Sequence, residues 1–174
     1  MTAGYRNDPA VPKEIERKFL VADEGWRAFA DTGRKLRQAY LAETERVAVR
    51  VRIEEGGKAF LTIKSAAPGL AREEFEYPLP SSDAETLFTL RQGSMLEKTR
   101  FRVPHGGRTW EIDVYHGDNS GLIVAEVELE NEADAVEPPS WLGREVTGER
   151  RYYAARLAQS PFKDWPRSAR NGER

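Results

Sequence analysis

Segment after segment of this chain alternates, with a period of two, between apolar and charged side chains, and this constrains the fold more than any other feature. In RVAVRVRIE (46–54), Val47, Val49, Val51 and Ile53 share one face while Arg50, Arg52 and Glu54 share the other. KAFLTIK (58–64) sets Leu61 and Ile63 against Thr62 and Lys64, and EEFEY (73–77) sets Phe75 and Tyr77 against Glu74 and Glu76. EIERKFLV (14–21) opposes Ile15, Phe19 and Val21 to Glu14, Glu16 and Lys18. RTWEIDVYH (108–116) opposes Trp110, Ile112 and Val114 to Glu111 and Asp113, and LIVAEVELE (122–130) opposes Ile123, Ala125, Val127 and Leu129 to Glu126, Glu128 and Glu130. The stretch 95–103 is less regular, yet Lys98, Arg100 and Arg102 still share a face. A period of two belongs to β-strands.

Turn signals separate these segments. EGG (55–57) and HGG (105–107) read as hairpin connections, and GDNSG (117–121) leads into the strand at 122–130. With KLRQAYLAE (35–43) the count reaches about eight strands. Helices are expected at 22–32, with Asp23 as N-cap and Trp26 and Phe29 three apart, and at 81–91, with Ser82 and Glu85 spaced as a capping box. Leu87 and Leu90 would face the core there, and Gly93 would stop the helix. A third is expected at 149–158, ended by Pro161 and followed by a loose tail. The chain thus reads as one α+β, mainly antiparallel domain.

The 174 residues suit one domain with a sizeable core. Net charge is only −2, without the basic excess of a nucleic-acid binder. The absence of cysteine excludes disulfides, thiolate metal sites and cysteine nucleophiles. No run approaches a membrane span and MTAGYRNDPAVPK has no apolar signal core, so a cytoplasmic protein without membrane or nucleic-acid partners is expected.

The near-neutral total hides segregation. Thr109 to Gly143 holds nine acids and no Lys or Arg, whereas Arg91 to Arg108 holds Arg91, Lys98, Arg100, Arg102 and Arg108 against Glu97 alone. An ordinary half-solvated sheet would mix Ser, Thr and Gln into its wet face; here that face is nearly all charge, with acids and bases sorted by strand. If helices cover the apolar side and the sheet curls shut, the charged face becomes the interior, and about eight strands make a barrel wide enough for a small ligand. Unpaired ions inside would each cost several kcal/mol. The bases suit an anion rich in oxygen, and the carboxylates then need a hard divalent cation to approach it.

EIERK carries the ExExK signature, Glu14-x-Glu16-x-Lys18, followed in order by QAYL (38–41), RVR (50–52), TIK (62–64), EFE (74–76), KTR (98–100), EID (111–113) and AEVEL (125–129). From about Lys13 to Tyr153 this set resembles the CYTH superfamily, the triphosphate tunnel metalloenzymes, and within it the short bacterial branch that hydrolyses inorganic triphosphate. The resemblance implies a closed eight-stranded antiparallel β-barrel, or tunnel, with flanking helices over residues 13–160, an N-terminal extension at 1–12 and a tail at 161–174. It implies that Lys18, Arg50, Arg52, Lys64, Lys98 and Arg100 bind triphosphate, with Glu74 and Glu76 orienting these bases or assisting metal binding. Glu14, Glu16, Glu126 and Glu128 would hold Mg²⁺ or Mn²⁺, with Asp113 sharing that role, and Glu14, Glu16, Lys18, Tyr40 and Lys98 would serve the chemistry. Where the family reads YYN, this chain has Ala154, which weakens any role for the C-terminal helix. Thiamine triphosphatase, class IV-like adenylyl cyclase and a non-catalytic polyphosphate or nucleotide binder are the alternatives; oligomeric state stays open, a homodimer being one arrangement.

Other conspicuous residues read as structural. His105 and His116 flank turns without ligand-spaced companions, the four Trp residues read as packing anchors, and Arg102 and Glu130 extend the charged faces toward the rim.

Overall fold

The computed structural model describes residues 13–65 and 71–171; the expected N-terminal extension lies outside the described residues. Among the described residues nine strands form: β1 Lys13–Val21, β2 Arg34–Glu43, β3 Val47–Glu54, β4 Ala59–Ser65, β5 Ala71–Leu79, β6 Gln92–His105, β7 Arg108–Tyr115, β8 Ile123–Glu128 and β9 Leu142–Glu145. All pairings are antiparallel, in the order β5-β4-β3-β2-β6-β7-β8-β1-β9. The eight expected strands are all present. The ninth was not foreseen, because LGRE is too short to show alternation.

The sheet curls strongly. Lys64 on β4 and Glu14 on β1 form an ion pair although their strands stand second and eighth in the order. A further ladder joins β1 to β5 through Lys13–Glu73, Glu14–Arg72 and Ile15–Ala71. That ladder is three residue pairs long, and the rest of β1 is committed to β8 and β9. The expectation of an eight-stranded barrel closed along its length is therefore narrowed to a curled antiparallel sheet with a tunnel fold.

Apolar residues line the outer face, and short helices and loops cover much of it. Helix α1 (Ser81–Phe88) packs Ala84 and Phe88 onto Ala39, Val51, Ile53 and Ala59. Its N-cap is Pro80 rather than Ser82, with no side-chain cap, and Leu90 lies beyond its end, exposed. The helix expected at 22–32 contracts to a 3₁₀ turn, Glu24–Phe29, whose Asp23 side chain does accept from Gly25 N–H. Trp26 is buried against Phe101, whereas Phe29, the last residue of the turn, is exposed. Trp110 and Trp141 meet edge to face, with ring centroids 5.6 Å apart, over β1, β7 and β8.

Apolar lumen positions fill one end of the tunnel. Leu20, Leu96, Tyr115 and Val124 share strand faces with the charged set, yet they pack with Val146, Tyr152, Leu157, Phe162 and Trp165. The helix expected at 149–158 divides into a 3₁₀ turn, Arg150–Tyr152, and α2, Ala154–Gln159. Gly93 does not stop α1; it lies within β6 at φ +74°, where a Cβ would collide with the Ala158 carbonyl of α2. The segment expected as a loose tail is packed as far as it is described: Phe162 and Trp165 are buried, and Trp165 Nε1 donates to the Ser160 carbonyl at 3.0 Å before α3 (Arg167–Asn171).

Candidate active site: two charged walls of a tunnel

Alternation along β3, β4 and β5 points Arg50, Arg52, Thr62, Lys64, Glu74 and Glu76 to the lumen, because Val51 and Ile53 are held beneath α1 on the other side. Arg52 Nη2 donates to both Glu76 carboxylate oxygens, at 3.1 and 3.3 Å, and Thr62 Oγ1 bridges Arg50 to Glu76 at 3.1 and 3.0 Å. Arg50 itself stands 3.9 Å from Glu74 and from Glu76, a loose approach. Lys64 pairs with Glu74 at 2.9 Å and with Glu14. Burial alone would lower Lys64, but Glu14 and the other carboxylates outweigh it and hold it raised. Arg52 is lowered by burial and by Arg50.

The opposite wall, on β1, β6, β7 and β8, is tighter. Lys18 pairs with Glu126 at 2.7 Å. Arg100 grips Asp113 through Nε and Nη2, both at 2.7 Å, reaches Glu126 at 3.0 Å and also pairs with Glu111. Lys98 donates to the same Asp113, which has no exposed surface. Burial would raise Asp113 and Glu126, but Arg100, Lys98 and Lys18 outweigh it and hold both low. Lys18 is raised, Glu126 and Glu16 overcoming its desolvation. Lys98 goes the other way: burial, reinforced by the like charge of Arg100, pulls it down to about 8.

A CYTH domain family model matches residues 12–155. The chain belongs to the CYTH domain family. An inorganic triphosphatase of Acetivibrio thermocellus is 39% identical over 154 residues, covering 88% of this chain and 97% of that protein. One of Nitrosomonas europaea is 40% identical over 155 residues, covering 84% and 97%. The crystal structure of an inorganic triphosphatase matches with a TM-score of 0.62 at 37% identity, covering 84% of this chain and 95% of that one. A protein from Pyrococcus furiosus, at 18% identity and a TM-score of 0.56 over 69% of this chain and 80% of its own, shares the fold. The CYTH assignment and the ordered motifs read from the sequence thus coincide.

Within this CYTH tunnel the acids divide into two kinds. Glu74, Glu76, Glu111, Glu126 and Asp113 each meet a base. Asp113, which the resemblance gives a share in the metal role, is here the counter-ion of Lys98 and Arg100. Glu16 and Glu128 face each other in register across β1 and β8. Glu16 is raised by burial and Glu126; Glu128 is raised by burial and by Glu14, Glu111 and Glu16. Carboxylates crowded by carboxylates form a donor set that suits a hard divalent cation. Among the described residues no three carboxylates converge as a finished cage, and Glu14 is tied to Lys64.

Tyr40 stands opposite Arg50 in register and packs on the apolar end beside Leu96 and Tyr115. Alternation also put Glu54 on the charged face without a role; it pairs with Arg34 at 3.0 Å and with Arg52 at 3.4 Å. Arg102 and Glu130 are exposed, as expected of rim residues. His116 is exposed but shares a 2.8 Å hydrogen bond with Thr99 Oγ1. Tyr153 and Tyr115, which had no assigned role, lie 5.7 Å from Lys18 Nζ and 5.6 Å from Lys98 Nζ. Gln38 was missed. It is wholly buried on the lumen face and neither amide atom has a hydrogen-bond partner among the described residues, a situation that costs roughly 1–3 kcal/mol per group. Its parity with Tyr40 in QAYL was the available signal.

Proposed function

We propose that this protein hydrolyses inorganic triphosphate to pyrophosphate and phosphate within its tunnel, with Mg²⁺ or Mn²⁺ as cofactor. The observation that carries the reading is the sorting of lumen charge: Lys18, Arg50, Arg52, Lys64, Lys98 and Arg100 converge from several strands, while Glu16 and Glu128 oppose each other and neither forms an ion pair among the described residues. The names of relatives at 39% and 40% identity, aligned over nearly their whole length, support it. The reading includes an eight-stranded ring closed around the substrate, supported by the short β1–β5 ladder and the Lys64–Glu14 pair.

Substrate entry exchanges carboxylates for phosphate oxygens. Arg50, only loosely approached by Glu74 and Glu76, and Arg52, released from Glu76, take the anion through their forks, and Lys18, Lys64 and Arg100 add charge along it. Glu16 and Glu128, with Glu14 and Glu126 beside them, would hold the cation. Bound there, it would neutralise the phosphate chain and lower the barrier to attack. Lys98, with its affinity for protons reduced to about 8, accepts the proton of the attacking water. The water oxygen bonds to the terminal phosphorus as the bridging P–O bond breaks and pyrophosphate leaves. Tyr40, opposite Arg50, borders the reacting end.

Purified protein incubated with triphosphate, ATP or thiamine triphosphate, with Mg²⁺, Mn²⁺ or EDTA, tests this. Phosphate release is expected from triphosphate, only with metal, and more slowly from the two organic triphosphates. Cyclic AMP from ATP, or tight polyphosphate binding without turnover, would overturn it.

A further inference from the structure

Gln38 sits among the phosphate-binding side chains without belonging to any ion pair. On β2 it shares a face with Leu36 and Tyr40, while its chain neighbours Arg37 and Ala39 turn outward, Arg37 to Glu85 of α1 and Ala39 into the cluster beneath that helix. Across the sheet it stands opposite Arg52 on one side and Leu96 on the other; the next lumen positions are Arg50 and Lys98. It therefore lies between the arginines of one wall and the lysine of the other.

Buried carboxamides are ordinarily hydrogen-bonded. Here Oε1 and Nε2 both lack partners, and so do the Nε atoms of Arg50 and Arg52 nearby, among the described residues. An apolar side chain would fill the position without that penalty, as Leu36 and Leu96 do beside it. The unmet set is one acceptor and several donors on a single patch. Phosphoryl oxygens accept only, and a water can donate to Oε1, so one phosphoryl group with its attacking water satisfies the patch.

We propose that Gln38 is a catalytic residue of triphosphate hydrolysis. Its Nε2 donates to an oxygen of the phosphoryl group under attack, and its Oε1 accepts from the attacking water and aims that water at phosphorus. This rests on the hydrolase reading above. The carboxamide neither gains nor loses a proton; the water's proton passes to Lys98 as the bridging P–O bond breaks.

Full-length wild type, Gln38→Met and Gln38→Asn are compared by phosphate release against triphosphate concentration with Mg²⁺ or Mn²⁺, and by thermal unfolding. Removing one preorganised donor from a phosphoryl or oxyanion site lowers kcat by about 10²–10³-fold, and that loss is expected for Gln38→Met. KM should change little and Tm should stay level or rise, since the orphaned polar atoms are gone. Gln38→Asn keeps the amide one methylene short and should lose kcat as well; it carries the test if the Met variant fails to fold. A Gln38→Met enzyme with wild-type kcat, or one whose loss lies in KM and Tm, overturns the proposal in favour of a packing role. If wild type releases no phosphate from triphosphate, the hydrolase reading falls and takes this with it; an active wild type with an undiminished variant sinks this proposal alone.

Discussion

The two walls of the tunnel carry the same kinds of side chain and are built to opposite tolerances. On β1, β6, β7 and β8, Asp113 is inaccessible and held by Lys98 and by two Arg100 nitrogens at 2.7 Å. On β3, β4 and β5, Arg50 stands 3.9 Å from its nearest carboxylates and Glu76 is exposed. A buried charge must be paired closely because no water compensates it, whereas a partly wetted base can leave its carboxylate for a phosphate at little cost. In the proposed reaction the tight wall holds the fold and, through Lys18 and Arg100, backs the phosphates that the open wall captures.

The largest effect expected from this contrast is that of Asp113→Ala. It strands Lys98 and Arg100 in a dry setting and should destabilise the fold by about 3–5 kcal/mol, read from urea unfolding. Arg52→Ala on the open wall should leave stability within about 1 kcal/mol and raise KM for triphosphate far more than it lowers kcat. If both variants lose the same stability, the walls are not distinct.

A pH–rate profile sharpens the role of Lys98. In the proposed reaction its neutral form accepts the water's proton; burial and Arg100 pull Lys98 down to about 8, so kcat/KM should climb as pH rises through that region. In Lys98→Arg the guanidinium stays protonated throughout, so that limb should disappear along with most of the activity. The smallest effect belongs outside the tunnel. Arg17 and Glu145 form an exposed bidentate pair joining β1 to β9, and Glu145→Gln should cost less than about 1 kcal/mol with kcat unchanged. The Arg17 hydrogen bond holds Glu145 low, so its small contribution is present at neutral pH and is lost as pH falls through the lowered value.

Alternation made the charged face legible residue by residue, because a period of two survives any curvature of the sheet. Pairing across the lumen left no trace in the sequence: nothing in EID distinguishes Glu111 from the inaccessible Asp113, whose partners come from KTR on the neighbouring strand. Gln38 escaped notice because it is neutral among charges, and only its parity marks it. Local helix signals were weaker guides. Ser82 and Glu85 had capping spacing, yet Pro80, with φ −58° and a non-helical ψ of 140°, took the N-cap. The tail looked polar, but Phe162 and Trp165 found the apolar end of the tunnel. Glu14, Glu16, Glu126 and Glu128 read alike in sequence; the fold tied Glu14 and Glu126 to lysines and left Glu16 facing Glu128.

That last pair gives the most direct test. Phosphate release from triphosphate should be followed against Mg²⁺ and Mn²⁺ concentration for wild type and Glu128→Gln, with an EDTA control. Wild type should be inactive in EDTA and saturate with metal, and the variant should need far more metal for whatever rate it retains. Turnover in EDTA, or a Glu128→Gln metal titration that overlays the wild type, would contradict the division of the lumen into phosphate-binding bases and cation-binding acids.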